Sequence, residues 1–149
     1  MSKEYLVRDF MTSPAASIPH HATLLDAALA FRRTNFRHLP VVDGGRVVGV
    51  ISSHDVQRLA PSLLTKISPD EYNKVFENTP LAGVMTRNPA TVTPTTPLRD
   101  AATWMNQKKV GCLPVVLNGQ LVGIITVIDM LGVLLQFLNV AQVSPVEGR

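Results

Sequence analysis

A single cysteine among 149 residues, Cys112, rules out an intramolecular disulfide framework. It sits in an apolar run, which predicts a buried, reduced thiol and, with it, a cytoplasmic location. Runs of like charge are missing too. The 14 Lys and Arg and the 11 Asp and Glu are scattered, so no nucleic-acid arm is expected, while the net charge of +3 suits anionic small ligands. The opening MSKEYLVRDF carries charges of both signs and no apolar core, unlike a signal peptide. The one long apolar tract is broken by Asp129, Gln136 and Asn139, so no membrane span is expected. Neither a Walker-type phosphate loop nor a zinc pattern occurs. His20-His21 has no Cys, Asp or Glu at ligand spacing and reads as a solvated turn, so no metal site is assigned. Ser52, His54 and Asp55 crowd one helix start, where side chains fan apart, and this argues against a catalytic triad. No catalytic residue is assigned.

What the chain does contain is a repeat. Leu113 to Asp129 reads LPVVLNGQLVGIITVID, and 74 positions earlier Leu39 to Asp55 reads LPVVDGGRVVGVISSHD. Each copy runs from a proline through an apolar stretch, a glycine turn (Asp43-Gly44-Gly45 or Asn118-Gly119), a second apolar stretch and the tetrad Ser/Thr-x-x-Asp. That order describes a β-hairpin feeding the N-terminus of a helix. Unpaired N–H groups and a hydroxyl there suit a phosphate, and a carboxylate three residues on suits two hydroxyls of a ribose. The same tetrad is also a helix cap, with the hydroxyl on the third N–H and the carboxylate favoured by the helix dipole. The two readings are compatible.

The flanks repeat as well. Lys3 to Met11 and Leu81 to Met85 read as short helices, each followed by a brief strand, Ala16 to Pro19 and Ala90 to Pro94. Leu24, Ala27, Ala28 and Phe31 then fall at helical spacing from Thr23 to Asn35, and Leu98, Ala101, Ala102 and Met105 repeat that face from Pro97 to Lys109. Thr23 or Thr96 suits a cap, Pro97 a first helical turn, and Trp104 and Met105 the core. Pro19 to Asp26 is one step longer than Pro94 to Asp100, which implies a one-residue insertion in the first copy. Ala60-Pro61-Ser62 marks one helix end, and Ser68-Pro69-Asp70-Glu71 starts a linker helix running to about Phe76. The units expected are residues 5–64, a helical linker 65–79, residues 80–142, and a flexible tail 143–149.

These motifs, two copies in register over nearly the whole chain, resemble a pair of CBS (cystathionine-β-synthase-type) domains, a Bateman module. VGCLPVV and the long linker after HDV are similar to the CBS pair of acetoin-utilization-type regulatory proteins. The resemblance implies an α/β (α+β) fold of two β-α-β-β-α repeats packed sheet to sheet about a pseudo-twofold axis. It also implies clefts for an adenosyl ligand: AMP, ADP, ATP, NAD or S-adenosylmethionine. No cofactor is required.

Carried over by position, Ser52 and Thr126 would meet phosphate or ribose oxygens, and Asp55 and Asp129 would hold ribose hydroxyls. The adenine would lie against Thr91, Val92 and Thr93 with Val110, Gly111, Cys112 and Pro114 in the second copy. In the first copy it would lie against Ala16, Ser17 and Ile18, with Phe36, Arg37, His38 and Pro40 beyond. With Ser17 in place of Val92 and Ala16 in place of Thr91, the first copy has the weaker base wall, so a smaller role is expected for Asp55 than for Asp129. Arg37 and His38 would bring charge to a phosphate.

The function expected is therefore a non-enzymatic regulatory module that senses such a ligand and signals to a separate, unidentified partner protein. The alternative is a ligand-free structural or protein-interaction module serving dimerisation; an enzyme ranks third. A homodimer is expected, because apolar residues from Leu131 to Val140 wrap most of the way round the last helix.

Overall fold

The computed structural model describes residues 3–64 and 68–140, with the side chains of 60–64 excepted. The sequence-based expectations for residues 65–67 of the linker and for the tail 143–149 lie outside these residues.

Each repeat is built on its hairpin. In the first, β2 (His38–Asp43) pairs antiparallel with β3 (Arg46–Ser52), and in the second β5 (Cys112–Leu117) pairs with β6 (Gln120–Thr126). The two-residue turns need left-handed backbone, supplied by Gly44 and Gly45 (φ +58° and +83°) and by Asn118 and Gly119 (φ +51° and +77°). Both hairpins carry a bulge at the same place, between Val41 and Val42 and between Val115 and Val116. Helices α2 (Ser53–Leu64) and α5 (Val127–Val140) follow directly. α2 does not stop at Ala60-Pro61 but runs on through Pro61.

The preceding helices are α1 (Leu24–Arg33) and α4 (Leu98–Lys108). Thr23 caps α1 in a reciprocal box with Asp26. α4 differs from expectation. Pro97 is its N-cap rather than its first helical residue, and Thr96 caps nothing because its hydroxyl accepts from the Thr93 N–H instead. Met105 is buried, whereas Trp104 lies on the exposed face with the Lys108 ammonium 5.5 Å from its ring centre. In the linker, Ser68 and Glu71 cap α3 (Pro69–Glu77).

The leading segments are single 3-10 turns, Val7–Asp9 and Leu81–Gly83, not longer helices, and each packs into the other repeat. Val7 lies in one core with Leu98, Met105, Leu113 and Ile125; Leu81 lies in the other with Ala27, Leu39, Val41 and Ile51. The Val7 N–H donates to Thr96 O, and the Leu81 N–H to Ala22 O. After each turn the chain continues along the far repeat's hairpin. β4 (Thr86–Arg87) pairs with Gly49 and Val50 of β3, and Thr12 bridges Ile124 of β6. Gly49 and Gly123 make that approach feasible. A Cβ on Gly123 would lie 2.9 Å from Thr12 O, and one on Gly49 3.0 Å from Thr86 O.

The bridges also correct the inferred insertion. Ile18 pairs parallel with Val41 as Val92 does with Val115, and Thr23 bridges Pro80 as Pro97 bridges Leu6. The offset of 74 therefore holds throughout, and Pro19 and Pro94 are not equivalent positions. Ile18, not Ser17, is the counterpart of Val92. β1 (Ile18–Pro19) completes a sheet in the order β1-β2-β3-β4. The two sheets meet at Val50, Cys112 and Ile124, beside Ala15.

Candidate functional site

Two clefts flank that sheet-to-sheet contact, and each draws on both repeats. The first, of about 400 Å³, is lined by Thr12, by residues 35–38 ahead of β2, and by Ile124, Thr126 and Asp129. The second, of about 350 Å³, is lined by Thr86, by residues 109–112 ahead of and opening β5, and by Val50, Ser52 and Asp55. Adding 74 to the first-repeat numbers and subtracting 74 from the second-repeat numbers converts one set into the other, so the clefts are related by the pseudo-twofold. The expected pairing is thereby corrected. Asp129 faces Phe36, Arg37 and His38 of the first repeat, and Asp55 faces Val110, Gly111 and Cys112 of the second. The exchanged leading segments produce this, because they lay each repeat's hairpin beside the other's approach strand.

Each carboxylate divides its work. Asp129 Oδ2 accepts from the Thr126 N–H (2.9 Å) and hydroxyl (3.1 Å), while the Asp129 N–H donates to Thr126 Oγ1 (3.2 Å). Asp55 Oδ2 accepts from the Ser52 N–H (2.9 Å), and the Asp55 N–H donates to Ser52 Oγ (3.0 Å). Both tetrads are thus reciprocal helix caps. The remaining oxygens differ. Among the described residues Asp129 Oδ1 has only the Thr12 hydroxyl, at 3.4 Å, whereas Asp55 Oδ1 is gripped by the Arg58 guanidinium at 2.6 Å. The position equivalent to Arg58 is Gly132, which has open space around it.

Other sequence-selected residues are placed as follows. Ala16 and Ser17 are exposed and line neither cleft, and Ile18 is in the first core. Thr91 and Thr93 are exposed, Val92 packs against the second core, and Pro40 and Pro114 are fully buried within the hairpins. With Ile18 standing where Val92 stands, the supposed weaker wall of the first repeat is withdrawn. Arg37 lines the Asp129 cleft as an exposed cation. His38 lines both clefts and lies against Gly111, which leaves no room there for a Cβ. Burial lowers the His38 pKa below its usual 6.5; Asp55 opposes this and Arg37 adds to it. In the ligand-free protein this favours the neutral imidazole. Burial alone pushes the Cys112 thiol up to about 12.

Sequence reasoning missed Thr12, Asn35, Arg58, Asn88 and Lys109. The 74-residue offset would have matched Thr12 with Thr86 and Asn35 with Lys109, and the i,i+3 spacing of Asp55 and Arg58 signals a helix-surface pair.

Two units of this form, hairpin-to-helix with a composite cleft on each side, match the family described as CBS domain over residues 7–62 and again over residues 81–136. The chain belongs to the CBS-domain family. Its CBS pair superimposes on that of a Vibrio cholerae chain described as an acetoin utilization protein, AcuB, with a TM-score of 0.77 and 32% identity over 93% of this chain and 98% of that one. It is similar to CBSX2 solved in complex with AMP (TM-score 0.73, 29% identity, 90% of this chain and 98% of that one). It is also similar to the CBS pair of protein MJ0100 in complex with 5′-methylthioadenosine and S-adenosylmethionine (TM-score 0.73, 26% identity, 87% and 99%). Among the described residues no group of three or more His, Cys, Asp or Glu is arranged to hold a metal ion, and no helix is long and apolar enough to cross a membrane.

Proposed function

We propose that this CBS pair is a non-enzymatic regulatory module, acting in the cytoplasm, that senses an adenosyl ligand in its clefts and passes the signal to a separate protein. The ligand class spans AMP, ADP, ATP, NAD and S-adenosylmethionine. The observation that carries the reading is Asp129: one oxygen is held by the cap, and the other faces a cleft of about 400 Å³ with a single long contact among the described residues. A carboxylate held that way is preorganised to accept two hydroxyls of a ribose. The AMP, S-adenosylmethionine and methylthioadenosine complexes of similar CBS pairs support the same class. A thermal-shift panel of these nucleotides tests it, since a ligand that binds only the folded state raises the melting temperature with concentration. Silence across the panel at millimolar ligand would sink the reading.

A second reading, a dimerisation module, draws on α5. Leu131, Leu134, Leu135, Phe137 and Leu138 are each more than 40% exposed, a broad apolar face on a single chain. Covering several of them at roughly 1.5–3 kcal/mol each suffices for a stable twofold dimer, which also fits the regulatory reading. Light scattering at micromolar concentration checks it, and a mass equal to one chain would remove the dimer.

A further inference from the structure

The two clefts share a plan but not a charge. Lys109 lines the Asp55 cleft, and Arg58, outside the lining, pairs with the Asp55 carboxylate, so with Arg58 counted the charges about that cleft sum to +1. Their counterparts 74 residues away are Gly132 and Asn35, which carry none. Beside Asp129 stands one cation, Arg37, so that cleft is neutral overall. His38 lines both clefts and does not distinguish them. The Asp55 side chain is 14% exposed, and a ribose reaching its Oδ1 must displace Arg58. An uncharged nucleoside gives the released guanidinium nothing in return, whereas a phosphate offers it a matching fork. Among the described residues Asp129 Oδ1 carries no such competitor.

Resting on the adenosyl reading above, we propose that the clefts divide adenosyl ligands by charge. The Asp55 cleft takes the phosphorylated form, with Arg58 and Lys109 as its specificity-determining residues, and the Asp129 cleft takes ligands whose 5′ substituent carries no net negative charge as readily as phosphorylated ones. A unit charge about 4 Å from another in water is worth about five-fold in affinity, so one extra cation facing a phosphate of nearly two negative charges, after partial screening by salt, gives about ten-fold.

The test is a site-resolved titration of the full ¹⁵N-labelled chain. Amide resonances at Ser52 to Asp55 report one cleft and those at Thr126 to Asp129 the other, with AMP and adenosine as the two probes. The expected result is an AMP-over-adenosine preference about ten-fold larger at the Asp55 cleft. The variant Arg58→Gly, which leaves each cleft with one cation and one carboxylate, should bring the two preferences to within about three-fold. Equal preferences in the unmodified protein, or a preference that survives this variant, would overturn the charge division while leaving the adenosyl reading intact. No response to either probe at either cleft would overturn both.

Discussion

Thr12 Oγ1 donates toward Asp129 Oδ1 across 3.4 Å, joining the segment after the first repeat's leading turn to the acidic residue of the second repeat's tetrad. The contact is long enough to yield to a ligand hydroxyl, and it marks the carboxylate oxygen left over from capping. Asp129→Asn keeps the size and some acceptor capacity but loses the charge. A charged hydrogen bond contributes roughly 1.5–3 kcal/mol, so affinity for an adenosine ligand should fall about ten-fold to a hundred-fold. The fold should lose only about 0.3–1 kcal/mol, the worth of an acidic residue in a first helical turn. Titration calorimetry beside ligand-free melting curves separates these effects. A melting point many degrees lower with unchanged affinity would leave Asp129 a cap and nothing more.

Gly123→Ala should be far more costly than an average glycine change in a strand. The added Cβ would lie 2.9 Å from both Met11 Sδ and Thr12 O. The sulfur can swing aside, but the carbonyl cannot, because it accepts the Ile124 N–H at 3.0 Å. Overpacking of this kind costs about 1–3 kcal/mol, read as a melting point several degrees lower. Because Thr12 lines the Asp129 cleft, ligand affinity should drop as well. An unchanged melting point would show that the leading segment is not held where the structure places it.

What could be read from the sequence was local. Gly44-Gly45 and Asn118-Gly119 announce their turns through backbone that few residues tolerate, and Ser68 with Glu71, like Thr23 with Asp26, announces a helix start by bonds spanning three residues. The exchange of leading turns was not legible, because Val7 and Leu81 are apolar residues that suit either core and only the tertiary contact decides between them. Matching Pro19 to Pro94 misled the alignment, since a proline is a landmark only where both copies need one. Trp104 misled in another way. A large aromatic within an amphipathic helix reads as core, yet here it lies on the exposed face with the Lys108 ammonium over its ring. The composite clefts follow from the exchange, so they were hidden with it.

Cys112 should be inert in the folded protein. Its sulfur lies where the two sheets meet, and burial pushes its pKa up from 9.0 to about 12, so the thiolate is scarce at neutral pH. A thiol reagent at pH 8 should label it no faster than the chain unfolds. The raised value also fixes a sign: the contribution to stability is fully present below pH 9 and is lost as pH rises toward 12. Rapid stoichiometric labelling without denaturant would contradict the burial.

His38 gives the opposite sign at the other end of the pH scale. Its folded pKa is lowered by burial, with Asp55 opposing and Arg37 reinforcing, so the folded protein holds fewer protons on this ring than the unfolded chain does. Stability from this group is therefore fully present above pH 6.5 and falls as pH drops through 6.5 toward the folded value. The position gives the shift its local setting, because His38 lines both clefts and its ring lies against Gly111. Urea midpoints measured between pH 7.5 and 5.5 should decline more steeply in the unmodified protein than in His38→Gln, which keeps a polar side chain but cannot titrate. Carboxylates elsewhere lower both curves alike, so only the difference between them belongs to His38. Parallel curves would mean that the imidazole takes up its proton at no cost to the fold, and the lowered pKa of this half-buried histidine between the clefts would have to be given up.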